Sequence, residues 1–196
     1  SLKPNAGGAG AGGAWPSKQP QVSAAQQALQ SLEADLVQAQ MLLRGSYRSQ
    51  KGSDQALNNA AEARSLCEAA LAKFREAGDD ANSFRCLAVS GEALMREAFV
   101  RVCRGEPAGA VEGCGKAGVK ALESARGMLD GLVAGGHGAC GQQMGLSLDM
   151  ASENVEKHKR ELAERLAECG DQNQVLALRT SLESAIQTGN ELQRLR

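Results

Sequence analysis

The chain has 196 residues, with 22 basic and 23 acidic side chains and a formal charge of −1. That length can bury a real core, and the balanced charge excludes the basic block that a nucleic-acid or anionic-membrane surface requires. No apolar run approaches the roughly 20 residues that span a bilayer, and the absence of an alternating apolar–polar run excludes a sheet protein.

Residues 1–22, SLKPNAGGAGAGGAWPSKQPQV, differ in kind from the rest. Gly, Ala and Pro dominate, and Lys3 and Lys18 are the only charges before Glu33. Such a segment has too little apolar side chain to offset the entropy of ordering itself. It reads as a tail that orders on a protein partner, with Lys3, Trp15, Pro16 and Lys18 as contacts and Trp15, the single tryptophan, as the anchor. Folding back on the chain's own helices is the alternative. The start at Ser1 rather than Met reads as processing or a fragment boundary. If a targeting peptide was removed there, an organelle is the expected compartment and a photosynthetic or respiratory assembly the candidate destination.

From Ser23 to residue 196 the good helix formers take over, and the pattern predicts six long antiparallel helices in three hairpins. Ser23 is the expected N-cap of a first helix ending near Arg44, lined by Leu29, Leu32, Leu36 and Leu43. RGSYRSQKGSD then connects, with Gly45 and Gly52 as stop and turn residues. Asp54 is the expected cap of a second helix over about 54–77, with the stripe Ala60, Ala63, Cys67, Ala70 and Phe74. FREAGDDANSF fuses a stop to a start: Gly78 supplies the left-handed C-cap, and Asp79, Asp80 or Asn82 the capping oxygen. LAECGDQNQVL is expected to repeat that device through Gly170 and Asp171.

A third helix, about 80–104, is apolar on two flanks, Phe84–Leu87–Gly91–Leu94 and Ala88–Met95–Phe99–Val102, which marks it as central. A fourth starts at Pro107 and carries Gly109, Gly113, Gly115 and Gly118. Interior glycine costs about 0.8–1 kcal/mol relative to Ala, so these four are expected to bring two helix backbones close together. A groove for a flat ligand is the functional alternative. The fifth helix spans about 141–169 and the sixth about 171–195. Acid-first i,i+4 pairs, Glu92/Arg96, Glu97/Arg101, Glu153/Lys157, Glu156/Arg160 and Glu161/Arg165, read as solvated faces.

Chemistry-bearing motifs are few. The six cysteines include no CxxC and no zinc spacing with histidine. Counted from the turn, Cys67 and Cys86 are staggered by roughly 7 Å, awkward for a disulfide, so free thiols in a reducing compartment are expected. His137 and Cys140 lack a neighbouring acid to complete a nucleophile, His158 falls on an inner stripe, and no phosphate-cradle motif occurs. No cofactor, metal or catalytic residue is implied.

ALAKFREAGDD, LAVSGEAL and GEPAGAVEGCGKAGVKAL resemble degenerate tetratricopeptide repeats of the long-period kind. The matching positions are Leu87, Gly91 and Ala93 in one helix and Gly105, Ala110, Ala121 and Leu122 across the next, within about residues 54–190. The resemblance implies stacked helical hairpins, as a solenoid or a closed bundle. The function expected from all of this is a non-catalytic interaction subunit of a larger protein assembly. A tetratricopeptide-like peptide adaptor and a ligand- or pigment-binding bundle are the alternatives.

Overall fold

The computed structural model describes residues 23–196; the expected tail contacts Lys3, Trp15, Pro16 and Lys18 lie outside the described residues. The described chain is all-α: α1 (Ala24–Arg48), α2 (Asp54–Glu76), α3 (Asp80–Arg104), α4 (Ala108–Ala134), α5 (Ala139–Glu168) and α6 (Gln172–Arg194). No helix among them is long and apolar enough to cross a membrane.

The helix ends follow local chemistry. Ser23 and Gln26 form a reciprocal capping box at α1, with Gln26 N donating to Ser23 Oγ and Ser23 N to Gln26 Oε1. α1 runs a turn past Gly45, which is no C-cap; a Cβ there would come within 2.9 Å of Asn59 on α2. Ser53, not Asp54, caps α2, its Oγ accepting from Ala56 N. Gly78 adopts the left-handed conformation (φ 68°) and Asp79 caps α3 through Asn82 N. The α5–α6 connection only half repeats this device: Asp171 caps α6 through Asn173 N, but α5 ends on an extended Cys169 and Gly170 has no positive φ. With no left-handed residue needed there, Gly170 is only a linker.

α3 is the hub. Its backbone packs against those of α1, α2, α4 and α5, whereas the backbones of α1 and α2 approach only each other and α3, and that of α6 approaches α4 and α5. One apolar cluster joins α1, α2 and α3 through Leu36, Ala63, Phe74 and Val89. A second joins α3, α4 and α5 through Phe84, Met95, Leu122 and Leu148, with Leu192 of α6 closing it. The charges on α3 depart from the expected solvated face. Glu97 is 1 % exposed and lies 2.7 Å from Arg64 of α2 and 3.6 Å from Arg101. Glu156 pairs with Lys159 rather than Arg160.

The glycines of α4 divide by stripe. Gly118 is buried against α3, where a Cβ would stand 3.1 Å from Gly91 O and 3.2 Å from Leu94 Cβ. Gly115 meets Thr188 of α6 at an ordinary distance. Gly109 and Gly113 make no close approach: they are exposed, with nothing within 4 Å of a built Cβ, because the inward stripe runs through Val111, Gly115, Gly118 and Leu122. Gly113→Ala is therefore expected to stabilise the protein by about 0.8–1 kcal/mol in urea denaturation, the helix-propensity difference with no steric cost.

Candidate functional site

α1 and α5 both pack on α3 without their backbones touching, and the seam between them opens into a groove at the Phe99 end. Two side-chain bridges cross it. Asn154 Nδ2 donates to Tyr47 Oη of α1 at 2.8 Å, and Lys51, in the turn just past α1, pairs with Glu161 two turns further along α5.

The floor is polar. Arg96 is 4 % exposed, yet no carboxylate among the described residues lies within ion-pair distance of it. Its Nε donates to Ser46 Oγ at 3.1 Å and its Nη2 to Ser46 O at 2.7 Å. Ser46 Oγ donates onward to Ala56 O, tying the floor to α2. The guanidinium lies over the Tyr47 ring at 4.9 Å and the Phe99 ring at 5.4 Å, so its faces are held by aromatic quadrupoles rather than by an anion. Burial lowers the Arg96 pKa, but a guanidinium stays charged.

One turn away, burial pushes the Glu92 carboxyl up to about 7. The hydroxyls of Tyr47 and Ser147 donate to it and, with the Arg44 charge, pull the value back only in part. Gln143 Nε2 donates to Ser147 Oγ at 3.1 Å, so α5 supplies a relay to the carboxylate. Burial, then the Glu92 charge, hold the Tyr47 phenol protonated. Asn154 is 1 % exposed; its Nδ2 serves Tyr47 and Met150 O, while its Oδ1 has no partner.

The rims are graded along their length. At one end Val37 and Met41 of α1 and Leu146 of α5 are large apolar side chains left exposed, Met41 to 65 % and Leu146 to 62 %. Toward the other end a depression of about 280 Å³ backed by Phe99 is lined by Lys51, Lys157 and Arg160 and by the carboxylates of Glu161 and Glu164. Lys51 and Lys157 are neutralised by Glu161 and Glu153. Arg44, Arg48 and Arg160 have no ion-pair partner among the described residues.

Other depressions carry less chemistry. One of about 850 Å³ lies at the turn end and is walled by Gly78, Asp79, Gly127, Gly131, Gly135 and His137. The Asp79 carboxylate there is already engaged by Asn82 N and Nδ2. His137 is exposed, whereas Cys140 is buried in the core and burial raises its thiol pKa, so the two form no nucleophile–base pair. His158 is buried with Nε2 unpartnered, held at a pKa of about 4 by burial, beside a cavity of about 20 Å³.

Of the four α4 glycines singled out from sequence, only Gly115 and Gly118 lie buried in a helix interface, and both face α3 or α6. The groove residues Tyr47, Glu92, Arg96 and Asn154 were not anticipated as a site. The one usable signal was a lone tyrosine placed just before a turn, within a connection that turns out to be helical. Comparison of the chain with family models, curated proteins and solved structures finds no match to any of them.

Proposed function

We propose that the chain is a non-catalytic interaction protein that seats an acidic segment of a partner protein between α1 and α5. The observation that carries this reading is Arg96, a buried guanidinium with no carboxylate within ion-pair distance, held against Ser46 and Tyr47 of α1. An isolated charge away from water is costly unless it is paired, and an incoming carboxylate supplies the pair. The exposed Val37, Met41 and Leu146 give the same segment an apolar seat, and the unpaired rim arginines favour negative charge in it. In this reading the chain is a subunit of a larger assembly that holds proteins together, the role its tetratricopeptide-like resemblance also implies.

The test is site-specific photo-crosslinking in native extract. A photoreactive residue at Met41 or Leu146 should give one discrete protein adduct, which Arg44→Glu with Arg160→Glu removes. The same residue at Leu176, an exposed position on α6, should give none. Equal labelling at all three positions, or adducts indifferent to the charge reversal, would reject the groove as the contact surface.

A further inference from the structure

His158 of α5 is 7 % exposed and lines an enclosed cavity of about 20 Å³ where α3, α4, α5 and α6 meet. Its Nε2 is sealed from solvent, and no group among the described residues hydrogen-bonds it. A buried nitrogen of this kind costs stability until something pairs with it. Burial keeps the ring neutral, with a pKa lowered to about 4, so each nitrogen either donates one proton or accepts one.

The opposite wall points to the pairing group. α6 lines the cavity with Ser181, Ser184 and Thr188, which are three and four residues apart and therefore on one face of the helix. Thr188 Oγ1 donates to Ser184 O at 3.0 Å and keeps its lone pairs for a further donor. The Ser181 and Ser184 hydroxyls enter no hydrogen bond among the described residues. A helix that buries only Ala185 and Leu192 thus gives its inward face to hydroxyls, while Leu176 and Ile186 stay exposed.

We propose that the cavity binds one water molecule, which bridges His158 Nε2 to the α6 hydroxyls and ties α6 to α5. The size fits, because one water occupies roughly 10–15 Å³ of such space. The lining fits as well. An apolar hole stays dry, whereas a buried water with about two to four polar partners is a stable part of a fold. Water both donates and accepts, so it serves Nε2 in either tautomer while the hydroxyls rotate to complement it. A metal ion does not suit the site. A structural ion asks for about four ligands, and no three His, Cys, Asp or Glu side chains gather to hold one among the described residues.

The bridge supplies a contact that α6 otherwise lacks. Among the described residues, no side-chain hydrogen bond or ion pair joins α6 to another helix. Arg196, past its end, makes the contacts to Asp149 and Ser152.

The experiment records water–protein NOE and ROE spectra of the isotopically labelled full chain at about pH 7, where the imidazole is neutral. The methyls of Val155 and Ala185 line the cavity and are buried, so bulk water does not reach them. The expected result is a cross-peak from the water resonance to both, of opposite sign in the two spectra. The buried Ala63 methyl, in the α1–α2–α3 cluster, should show none. His158→Phe, checked for native helicity, keeps a ring of similar size and every α6 hydroxyl but removes the nitrogen, and should abolish both cross-peaks. Ser181→Ala with Ser184→Ala keeps the imidazole and should weaken them. The proposal would be overturned by a parent chain without these cross-peaks, or by cross-peaks that the two serine substitutions leave unchanged. Cross-peaks that persist in His158→Phe, relayed by proton exchange through the hydroxyls, would overturn it too.

Discussion

Glu92→Gln should be more stable than the parent chain by about 3 kcal/mol at about pH 8, and no more stable at about pH 4. The folded-state pKa of Glu92 is raised from an ordinary 4.5 to about 7, first by burial. Because the folded state holds this proton more tightly than the unfolded chain, stability is full below the unfolded value and is lost as pH rises toward and past 7. Glutamine keeps an acceptor for the Tyr47 and Ser147 hydroxyls and has no charge to bury. His158 works in the opposite direction. Burial depresses its pKa from 6.5 to about 4, so stability is full above the unfolded value and is lost as pH falls toward and past 4. The two slopes nearly cancel between about pH 4.5 and 6.5, and the parent chain should show an almost flat contribution from this pair there. Glu92→Gln should expose a stability that climbs with pH, and His158→Leu one that declines. Urea midpoints measured across that window check both; parallel profiles for the two variants would show that neither group is buried as described.

Gly91→Ala should destabilise the protein by about 2 kcal/mol, although alanine is the better helix former. At this position α3 and α4 approach closely enough that an added Cβ would stand 2.6 Å from Leu122 Cγ and 3.1 Å from Gly118 O. Leu122 is fully buried among Phe84, Ala88 and Met95, and its Cγ is the stem of the side chain rather than a flexible end. The helices must therefore separate, and a dense core does not absorb that movement locally. Comparison with Gly113→Ala makes the test internal: the same substitution one helix away, in open space, should act with the opposite sign. A urea midpoint for Gly91→Ala at or above that of the parent would remove the close α3–α4 contact from the account.

The sequence carried the helices well and the groove poorly. Ser23, Gly78 and Asp79 act as their chemistry predicts because caps are decided within a few residues. The two apolar flanks of α3 announced a central helix for the same reason: periodicity is local information. The charges on that helix misled. An acid followed four residues later by a base has one spacing whether it faces water or a neighbouring helix. Glu92, Arg96 and Glu97 are enclosed because α1, α2, α4 and α5 already cover α3 on its several sides. The pairing of Tyr47 with Asn154, far apart in sequence, depends on α1 and α5 lying together on α3, which no window of residues encodes. Gly109 and Gly113 show the converse, a composition that promised contact on a stripe that faces solvent.

The groove itself is tested most directly by chemical-shift mapping on the isotopically labelled chain, titrated with a synthetic peptide of alternating Glu and Leu. The account predicts perturbations clustered on Met41, Arg44, Arg96, Leu146 and Arg160, weakened by salt and by Arg44→Glu with Arg160→Glu. Perturbations confined to the glycine-walled depression near His137, or none at peptide concentrations up to about 1 mM, would contradict it.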